Sequence, residues 1–167
     1  EADEVKILNV AAPAVAADSR LPVSSRLYAL AGKGDKASRT FNLPEKWSPE
    51  LAHYLGWLVG DGCISGDVVT TVYGSVDEQE QILPRHRALA AQMNGGDESK
   101  PSVQANGTLQ LRQSRRVIAR FFEALGVSRK KAAGKVVPES IYQAPTDAVA
   151  AFLRGLLQAL QLLAEQR

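Results

Sequence analysis

The segment LAHYLGWLVGDGCISG, residues 51–66, limits the possible folds of this chain more than any other. Gly56 and Gly60 lie four residues apart inside an apolar segment, and Asp61 follows at its end, directly before Gly62. Glycine inside a helix costs roughly 0.5–1 kcal/mol relative to alanine, so the two glycines need a compensating contact. Because residues four apart share one helix face, they predict a face on which a second backbone packs closely.

Asp61 then stands at the end of a helix that packs against another helix. A carboxylate at the negative end of its own helix dipole is electrostatically unfavourable, and a cation such as Mg²⁺, which prefers oxygen ligands, would reverse this. Two such carboxylates, brought together by paired helices, could hold divalent metals for phosphodiester hydrolysis. The same residues also fit a plain core helix that ends at a glycine and carries an exposed capping aspartate.

The composition favours a soluble globular protein with one domain. The 167 residues are 45% hydrophobic and 23% charged, and no apolar run is long enough to span a bilayer, so we expect no membrane partner. A single cysteine, Cys63, and two histidines provide neither a disulfide framework nor the spacing of zinc ligands. We expect a cytoplasmic protein on these grounds.

Basic residues concentrate in one part of the chain, and this asymmetry favours a polyanionic partner. Between residues 112 and 135 the only acidic residue is Glu123, whereas the basic residues are Arg112, Arg115, Arg116, Arg120, Arg129, Lys130, Lys131 and Lys135. A solvated helix followed by a basic loop is the alternative interpretation of the same stretch.

Local signals predict an α+β domain over residues 45–167, preceded by an N-terminal arm or linker over residues 1–44 that is rich in Ala, Pro, Ser and Gly. Ser48 can cap a first helix that ends near Gly62. A β-branched run over 68–73 predicts a strand, and 79–93, 115–126 and the stretch from Thr146 onward predict helices. Asn106-Gly107 between two alternating runs predicts a type I′ hairpin.

Two aromatic residues and the two histidines are expected to have structural roles. Tyr54 and Trp57 follow helical spacing and are interpreted as core residues. His53 and His86 have no evident serine or cysteine partner, so we expect one on a helix surface and the other at the edge of the core.

The segment YLGWLVGDG (54–62) resembles the first signature helix of the LAGLIDADG homing endonucleases, particularly those carried in bacterial inteins. The segment GKVVPESIYQAPTDAVAAFLRGLLQALQ (134–161) is similar to that family's approach to a second signature helix. The order of the predicted elements also matches the family's αββαββα unit, and the resemblance covers residues 45–161. It implies an antiparallel sheet that forms a saddle on the major groove of double-stranded DNA, and it makes residues 1–44 a possible remnant of an intein connection.

The resemblance also implies roles for individual residues. Asp61 becomes a ligand for Mg²⁺, with the Gly60 carbonyl as a second ligand, while Arg112 and Lys135 are the basic candidates for activating water or stabilising the phosphate. The implied helix-packing residues are Gly56, Gly60, Gly155 and Ala159. The implied DNA-binding residues are Thr70, Gln104, Gln110, Arg112, Arg115, Arg116, Arg129, Lys130 and Lys131.

Two departures from the family pattern determine what function we expect. Leu160 and Gln161 stand where the second signature should have its aspartate and glycine, and no second αββαββα unit follows in this sequence. We therefore expect a DNA-binding domain of an ancestral double-strand endonuclease in which cleavage is impaired. The Leu-rich stretch 153–163 is longer than one signature helix needs, so we expect a homodimer that buries it. Two alternatives for the function stay open: an active homodimer that pairs through the Gly56 and Gly60 helices with one Asp61 per chain, and an intein fragment or engineered scaffold that serves only folding or assembly.

Overall fold

The computed structural model describes residues 19–22, 41–130 and 134–165, with side chains described as far as Gln161. The elements are α1 (Pro49–Asp61), β1 (Gly62–Ser65), β2 (Val68–Tyr73), α2 (Leu83–Met93), β3 (Ser102–Val103), β4 (Leu109–Ser114), α3 (Arg116–Ala124) and α4 (Thr146–Glu165). A π-helical turn, Glu78–Ile82, precedes α2, and a 3-10 turn, Glu139–Gln143, precedes α4. The order is αββαββα followed by one more helix, which confirms the predicted α+β class.

Helix α1 is the centre of the core. Its start is set by Ser48, whose hydroxyl oxygen accepts a hydrogen bond from the Leu51 amide at 3.1 Å. The helix ends at Asp61, and Gly62 is already extended, so the chain passes directly into β1. All residues from Leu51 to Val59 are buried, including Tyr54 and Trp57, as the sequence predicts for the two aromatic side chains.

The four strands form one antiparallel sheet in the order β1-β2-β4-β3. Side chains alternate across it, so Ile64, Val69 and Leu111 are buried on the inner face. On the outer face, Thr70 is paired with Cys63 of β1 on one side and with Arg112 of β4 on the other. The inner face packs on the core, and the outer face presents a polar surface.

The hairpin between β3 and β4 differs from the predicted type I′ turn. That turn needs positive φ at both central residues, but among the described residues only glycines have positive φ, including Gly107 at 82°. The Gln104 amide instead donates to the Thr108 carbonyl at 2.9 Å, so the loop contains three residues. The Asn106 Oδ1 accepts from the Thr108 amide and hydroxyl, and these bonds favour the longer loop with one left-handed glycine.

Part of the predicted N-terminal arm packs with the domain. Residues 19–22 run antiparallel to residues 45–47, with backbone hydrogen bonds of 3.0 and 2.8 Å. Leu21, Phe41 and Leu43 are buried in the hydrophobic core. The assignment of the rest of the arm as a linker stays a prediction, because it falls outside the described residues.

Candidate metal and nucleic-acid site

Helices α1 and α4 pack backbone to backbone at two glycines. A Cβ atom added at Gly56 would lie 2.1 Å from the Phe152 carbonyl oxygen, and one added at Gly155 would lie 2.2 Å from the His53 carbonyl oxygen. Each glycine therefore approaches the carbonyl of the residue three positions before the other glycine. The contact is reciprocal, so the two helices are related by a local two-fold axis.

Later residues of α1 contact later residues of α4. A Cβ atom at Gly60 would lie 2.6 Å from the Ala159 Cβ, one turn beyond the contact at Gly56. Helices α1 and α4 are thus parallel, and the structure brings together all four residues for which close helix packing is predicted. It also places α4 of the same chain on the face through which a homodimer was expected to pair.

We call the contact of α1 with α4 at Gly56, Gly60, Gly155 and Ala159 the seam. The two-fold relation gives each residue of α1 at the seam an equivalent position on α4. Asp61 lies five residues after Gly56, and Leu160 lies five residues after Gly155. Asp61 is half-buried at the end of α1, whereas Leu160 is 43% exposed and α4 continues to Glu165. The seam consequently carries one carboxylate where a symmetric site would carry two.

Lys135 lies beside Asp61. Its Nζ donates a hydrogen bond of 2.6 Å to the carbonyl oxygen of Gly62. Burial raises the pKa of the Asp61 carboxyl, and the nearby Lys135 ammonium opposes that rise. Burial likewise lowers the pKa of Lys135, with Asp61 and Cys63 opposing the change. The structure thus places a half-buried ammonium next to a half-buried carboxylate.

Arg112, the other basic candidate, lies elsewhere. It is exposed on β4, in the row that runs through Thr70 to Cys63. Two strand spacings of roughly 4.8 Å separate it from β1, the strand that follows Asp61. The structure therefore brings Lys135 to Asp61 and leaves Arg112 on the outer face of the sheet.

The donors at the seam fit only part of a metal site. Within residues 19–22, 41–130 and 134–165, no three His, Cys, Asp or Glu side chains are grouped so that they could hold a metal ion. A carboxylate of Asp61 and a carbonyl of Gly60 fit a cation such as Mg²⁺, which commonly takes one or two carboxylates and completes its shell with water and substrate phosphate. They do not fit a site formed entirely by this chain.

Three of the predicted DNA-binding residues share the outer face of the sheet. Thr70 and Arg112 are directly paired across β2 and β4, and Gln110 lies two residues before Arg112 on the same strand, paired with Val72. Gln104 follows β3 directly, at the start of the hairpin loop, and its side-chain amide donates to Ser102 Oγ at 3.2 Å. Thr70, Gln110 and Arg112 form one polar strip across β2 and β4.

The basic cluster is partly neutralised within the described chain. Glu123 accepts from Arg120 at 2.6 Å and also from Arg129, and the bond from Arg129 is the main reason that the pKa of Glu123 is lowered. Arg115 donates to the Ser114 carbonyl at 3.4 Å. Arg116 and Lys130 are exposed, and Lys131 lies outside the described residues. Fewer free positive charges remain than the sequence suggests.

Sequence reasoning missed a hydrogen-bonded chain inside the core. His53, expected on a helix surface, is only 4% exposed, and His86 is 2% exposed. His53 Nδ1 lies 2.9 Å from His86 Nε2, and His53 Nε2 lies 2.8 Å from Gln158 Oε1. His86 Nδ1 lies 2.8 Å from the Tyr73 hydroxyl. The expectation for His53 was wrong because α4 covers that face of α1.

The hydrogen bonds determine the tautomers of both histidines. Gln158 Oε1 can only accept, so His53 Nε2 donates to it and His53 Nδ1 must accept from His86 Nε2. His86 Nδ1 then accepts from the Tyr73 hydroxyl. Burial lowers the pKa of both histidines, which matches two neutral rings. The helical spacing of His86 with Leu83 and Leu89, both buried, was the one available sequence signal.

No protein-family model matches this chain, and no curated protein matches it. Similar solved structures include two substituted variants of I-DmoI, a LAGLIDADG homing endonuclease, each in complex with its target DNA and 2 mM manganese. One has a TM-score of 0.48 and 19% identity, covering 66% of this chain and 59% of that chain. The other has a TM-score of 0.47 and 20% identity, covering 66% and 60%. This chain thus spans about 60% of the length of those proteins. A similarity of this size says nothing about whether this chain shares their ligands or their activity.

Proposed function

We propose that this chain is a DNA-binding domain of the LAGLIDADG homing-endonuclease type whose capacity for double-strand cleavage is impaired. The observation that carries the proposal is the reciprocal packing of Gly56 and Gly155, because it makes α1 and α4 a pair of parallel helices with matching ends. The signature segment 54–62 lies on one of these helices, and its aspartate is at the seam. The αββαββα order agrees with the same family.

Double-stranded DNA would bind on the outer face of the sheet. A β-ribbon fits the major groove, where base edges present distinct patterns of donors and acceptors. Arg112 can donate two hydrogen bonds to a guanine, Gln110 can pair with an adenine, and Thr70 can contact either base. Arg116 and Lys130, both exposed, would contact phosphates and contribute to affinity rather than sequence preference.

Asp61 and the Gly60 carbonyl would hold Mg²⁺ at the seam. The metal would supply charge stabilisation at a phosphodiester when bound. The Lys135 ammonium, beside Asp61, would add positive charge toward the phosphate. Leu160 has no ligand atom at the equivalent position of α4, so this chain provides one half of the acidic pair that two-strand cleavage needs.

The position of α4 favours impaired cleavage over an active homodimer. Gly56 and Gly60 already contact α4 in the same chain, with approaches too close for a side chain. A second copy could pair through this face only after α4 had left it. Such a displacement would expose the buried side chains of Ala148, Phe152 and Ala159.

The test is a duplex-binding titration of wild type, Arg112→Gln and Arg120→Gln at several salt concentrations, with a randomised duplex library. The logarithm of the binding constant should fall with the logarithm of salt, by a slope of roughly 0.9 for each phosphate contact. We expect Arg112→Gln to weaken binding by about 1–3 kcal/mol, roughly five- to 150-fold, and to relax the selected sequence at one position.

Arg120→Gln is the matched control, because it removes the same charge from a residue that is paired with Glu123 on α3. Its affinity should stay within about twofold of wild type. Undetectable duplex binding at low salt, or equal effects of the two substitutions, would contradict the proposed face.

A further inference from the structure

Polar side chains form a continuous line of hydrogen bonds that crosses the core from β4 to α4. The Gln113 side-chain amide donates to the Tyr54 hydroxyl at 2.9 Å, and that hydroxyl is also hydrogen-bonded to Thr71. The Thr71 hydroxyl lies 2.9 Å from the Tyr73 hydroxyl, which joins the line to the histidine pair. We call this line the hydrogen-bond relay, and its members in order are Gln113, Tyr54, Thr71, Tyr73, His86, His53 and Gln158.

Burial protects most of the relay from water. The members from Gln113 to His53 are no more than 4% exposed, whereas Gln158 is half-buried at the surface of α4. A buried hydroxyl or imidazole that loses a partner cannot replace it with bulk water, and the loss is costly. The inner members therefore keep their bonds to each other, and solvent reaches the relay at its α4 end.

The bonds of the relay all point in the same direction. Each hydroxyl and each neutral imidazole has one hydrogen to donate and accepts one hydrogen from its other neighbour. In the structure the direction runs from Gln113 to Gln158, because the Gln158 oxygen is the last acceptor. Reversing one bond alone would set two hydrogens or two lone pairs against each other. The bonds therefore keep this direction together or reverse together.

The two ends of the relay are compatible with either direction. Rotation of the Gln113 amide would exchange its N–H₂ group with Oε1, which is buried and has no partner among the described residues. One group of that amide is unpaired in both directions, so the β4 end does not fix the choice. At the α4 end, the half-buried Gln158 can turn either its oxygen or its N–H₂ group to His53 Nε2. The choice is made at this end.

We propose that the relay is a two-state device in which the group at position 158 sets the direction of every bond as far as Gln113. An acceptor at position 158 keeps the ring hydrogen of both histidines on Nε2, and a donor moves it to Nδ1 in both rings. The two rings therefore share one tautomer in either state. The device couples the surface of α4 to β4, and none of its members is among the residues proposed to bind DNA or metal.

The test is ¹⁵N NMR of the full chain at pH 8, where both rings are neutral because burial lowers the pKa of each histidine. The chain has two histidines, so the ring spectrum contains these two rings alone. We expect the ring hydrogen on Nε2 of both in wild type. Gln158→Glu, whose carboxylate only accepts, should keep that tautomer. Gln158→Lys, whose ammonium only donates, should move the hydrogen to Nδ1 in both rings.

The side-chain amide of Gln113 reports on the other end of the relay. Its proton and nitrogen shifts should change in Gln158→Lys, because the Tyr54 hydroxyl then donates to Gln113 instead of accepting from it. Gln161→Lys is the matched control, since it adds the same charge at an exposed position three residues further along α4. It should leave both tautomers and the Gln113 signals as they are in wild type.

Tyr73→Phe interrupts the relay, because it removes one hydroxyl and keeps the ring. In that background Gln158→Lys should no longer shift the Gln113 amide signals. Thr71→Val makes an equivalent interruption with a side chain of similar size if Tyr73→Phe does not fold. Different tautomers on the two rings of wild type, an unchanged His86 in folded Gln158→Lys, or a Gln113 response that survives the interruption would each overturn the proposal.

Discussion

At the scale of single residues, the two seam glycines matter because they face backbone rather than flexible side chains. In Gly56→Ala the new methyl group would lie 2.1 Å from the Phe152 carbonyl oxygen, so the helices must separate. Alanine gains about 1 kcal/mol of helix propensity, but overpacking against a backbone carbonyl at this distance lies at the upper end of the usual range, about 3 kcal/mol. We expect the free energy of unfolding to fall by about 2 kcal/mol in urea denaturation.

A second pair of substitutions distinguishes a steric clash between the helices from a loss of stability that any change at these positions would cause. Gly60→Ala meets the methyl group of Ala159 at 2.6 Å, so Ala159→Gly in the same chain should restore most of the lost stability. Ala159→Gly should not rescue Gly56→Ala, whose clash is with a carbonyl one turn away. An increase in stability for Gly56→Ala would refute the close approach of the helices.

The two buried histidines predict a loss of stability in mild acid. Protonation of His53 would place an N–H on its Nδ1 against the N–H of His86 Nε2, and protonation of His86 would place an N–H on its Nδ1 against the hydroxyl hydrogen of Tyr73. Burial lowers the pKa values of both histidines. The unfolded chain titrates near pH 6.5, so it binds more protons than the folded chain below that pH. Stability should be constant above pH 7 and should fall below pH 6.5, by at most about 1.4 kcal/mol per pH unit for each histidine that stays neutral in the folded chain.

Urea denaturation between pH 8 and 5.5 measures this dependence, and NMR of the imidazole rings checks its cause. The pKa values of Asp61 and Glu78 are raised by burial, so their protonation on acidification favours the folded state and cannot produce the loss. Either imidazole titrating near pH 6.5 in the folded protein would disagree with the neutral hydrogen-bonded pair.

At the scale of elements, the pairing of α1 with α4 defines what is missing from the seam. Because Leu160 is equivalent to Asp61, Leu160→Asp would return a carboxylate to the second position. We expect the wild-type chain to leave a randomised duplex library uncut with Mg²⁺, and Leu160→Asp to bind Mn²⁺ at least tenfold more tightly, measured by electron paramagnetic resonance. Two carboxylates at one site bind a divalent cation better than one.

Leu157→Asp is the control for this substitution, because it adds the same charge one turn away on an exposed position. It should leave Mn²⁺ binding unchanged. Double-strand cuts by the wild-type chain that disappear in Asp61→Asn would show instead that a homodimer keeps the activity.

At the scale of the whole molecule, an apolar stripe on α4 is left uncovered. Leu153, Leu157 and Leu160 are 46%, 59% and 43% exposed, and their spacing puts them on one side of the helix. The local two-fold axis relates Leu153 and Leu157 to Tyr54 and Leu58, which are buried on α1. Exposed apolar stripes of this kind usually mark an interface.

We expect two chains to pair through this stripe, with α4 still packed on α1. Light scattering should give a mass twice the 18.0 kDa of one chain at micromolar concentration, and Leu157→Lys should halve it. Tyr142→Lys, on a side chain that is 75% exposed elsewhere, is the control and should leave the mass unchanged. A wild-type monomer at high micromolar concentration would contradict the expectation.

Much of the fold could be predicted because its signals are local. The cap at Ser48, the β-branched run over 68–73 and the start of α4 at Thr146 each depend on neighbours within a few positions, and the structure confirms all three. The type I′ turn was the local prediction that proved wrong. Asn106-Gly107 is compatible with two loop types, and hydrogen bonds from Thr108 to the Asn106 side chain favour the three-residue loop.

Residue types alone indicated that Gly56 and Gly60 line a close helix contact, since glycine inside a helix is unfavourable unless another backbone uses the space. That α4 of the same chain fills that space, and that His53 is buried beneath Gln158, became known only from the folded structure. Both contacts join residues that lie far apart along the chain. Residue types and their spacing constrain the backbone locally, whereas the energy of a contact about one hundred residues apart depends on which surfaces folding brings together.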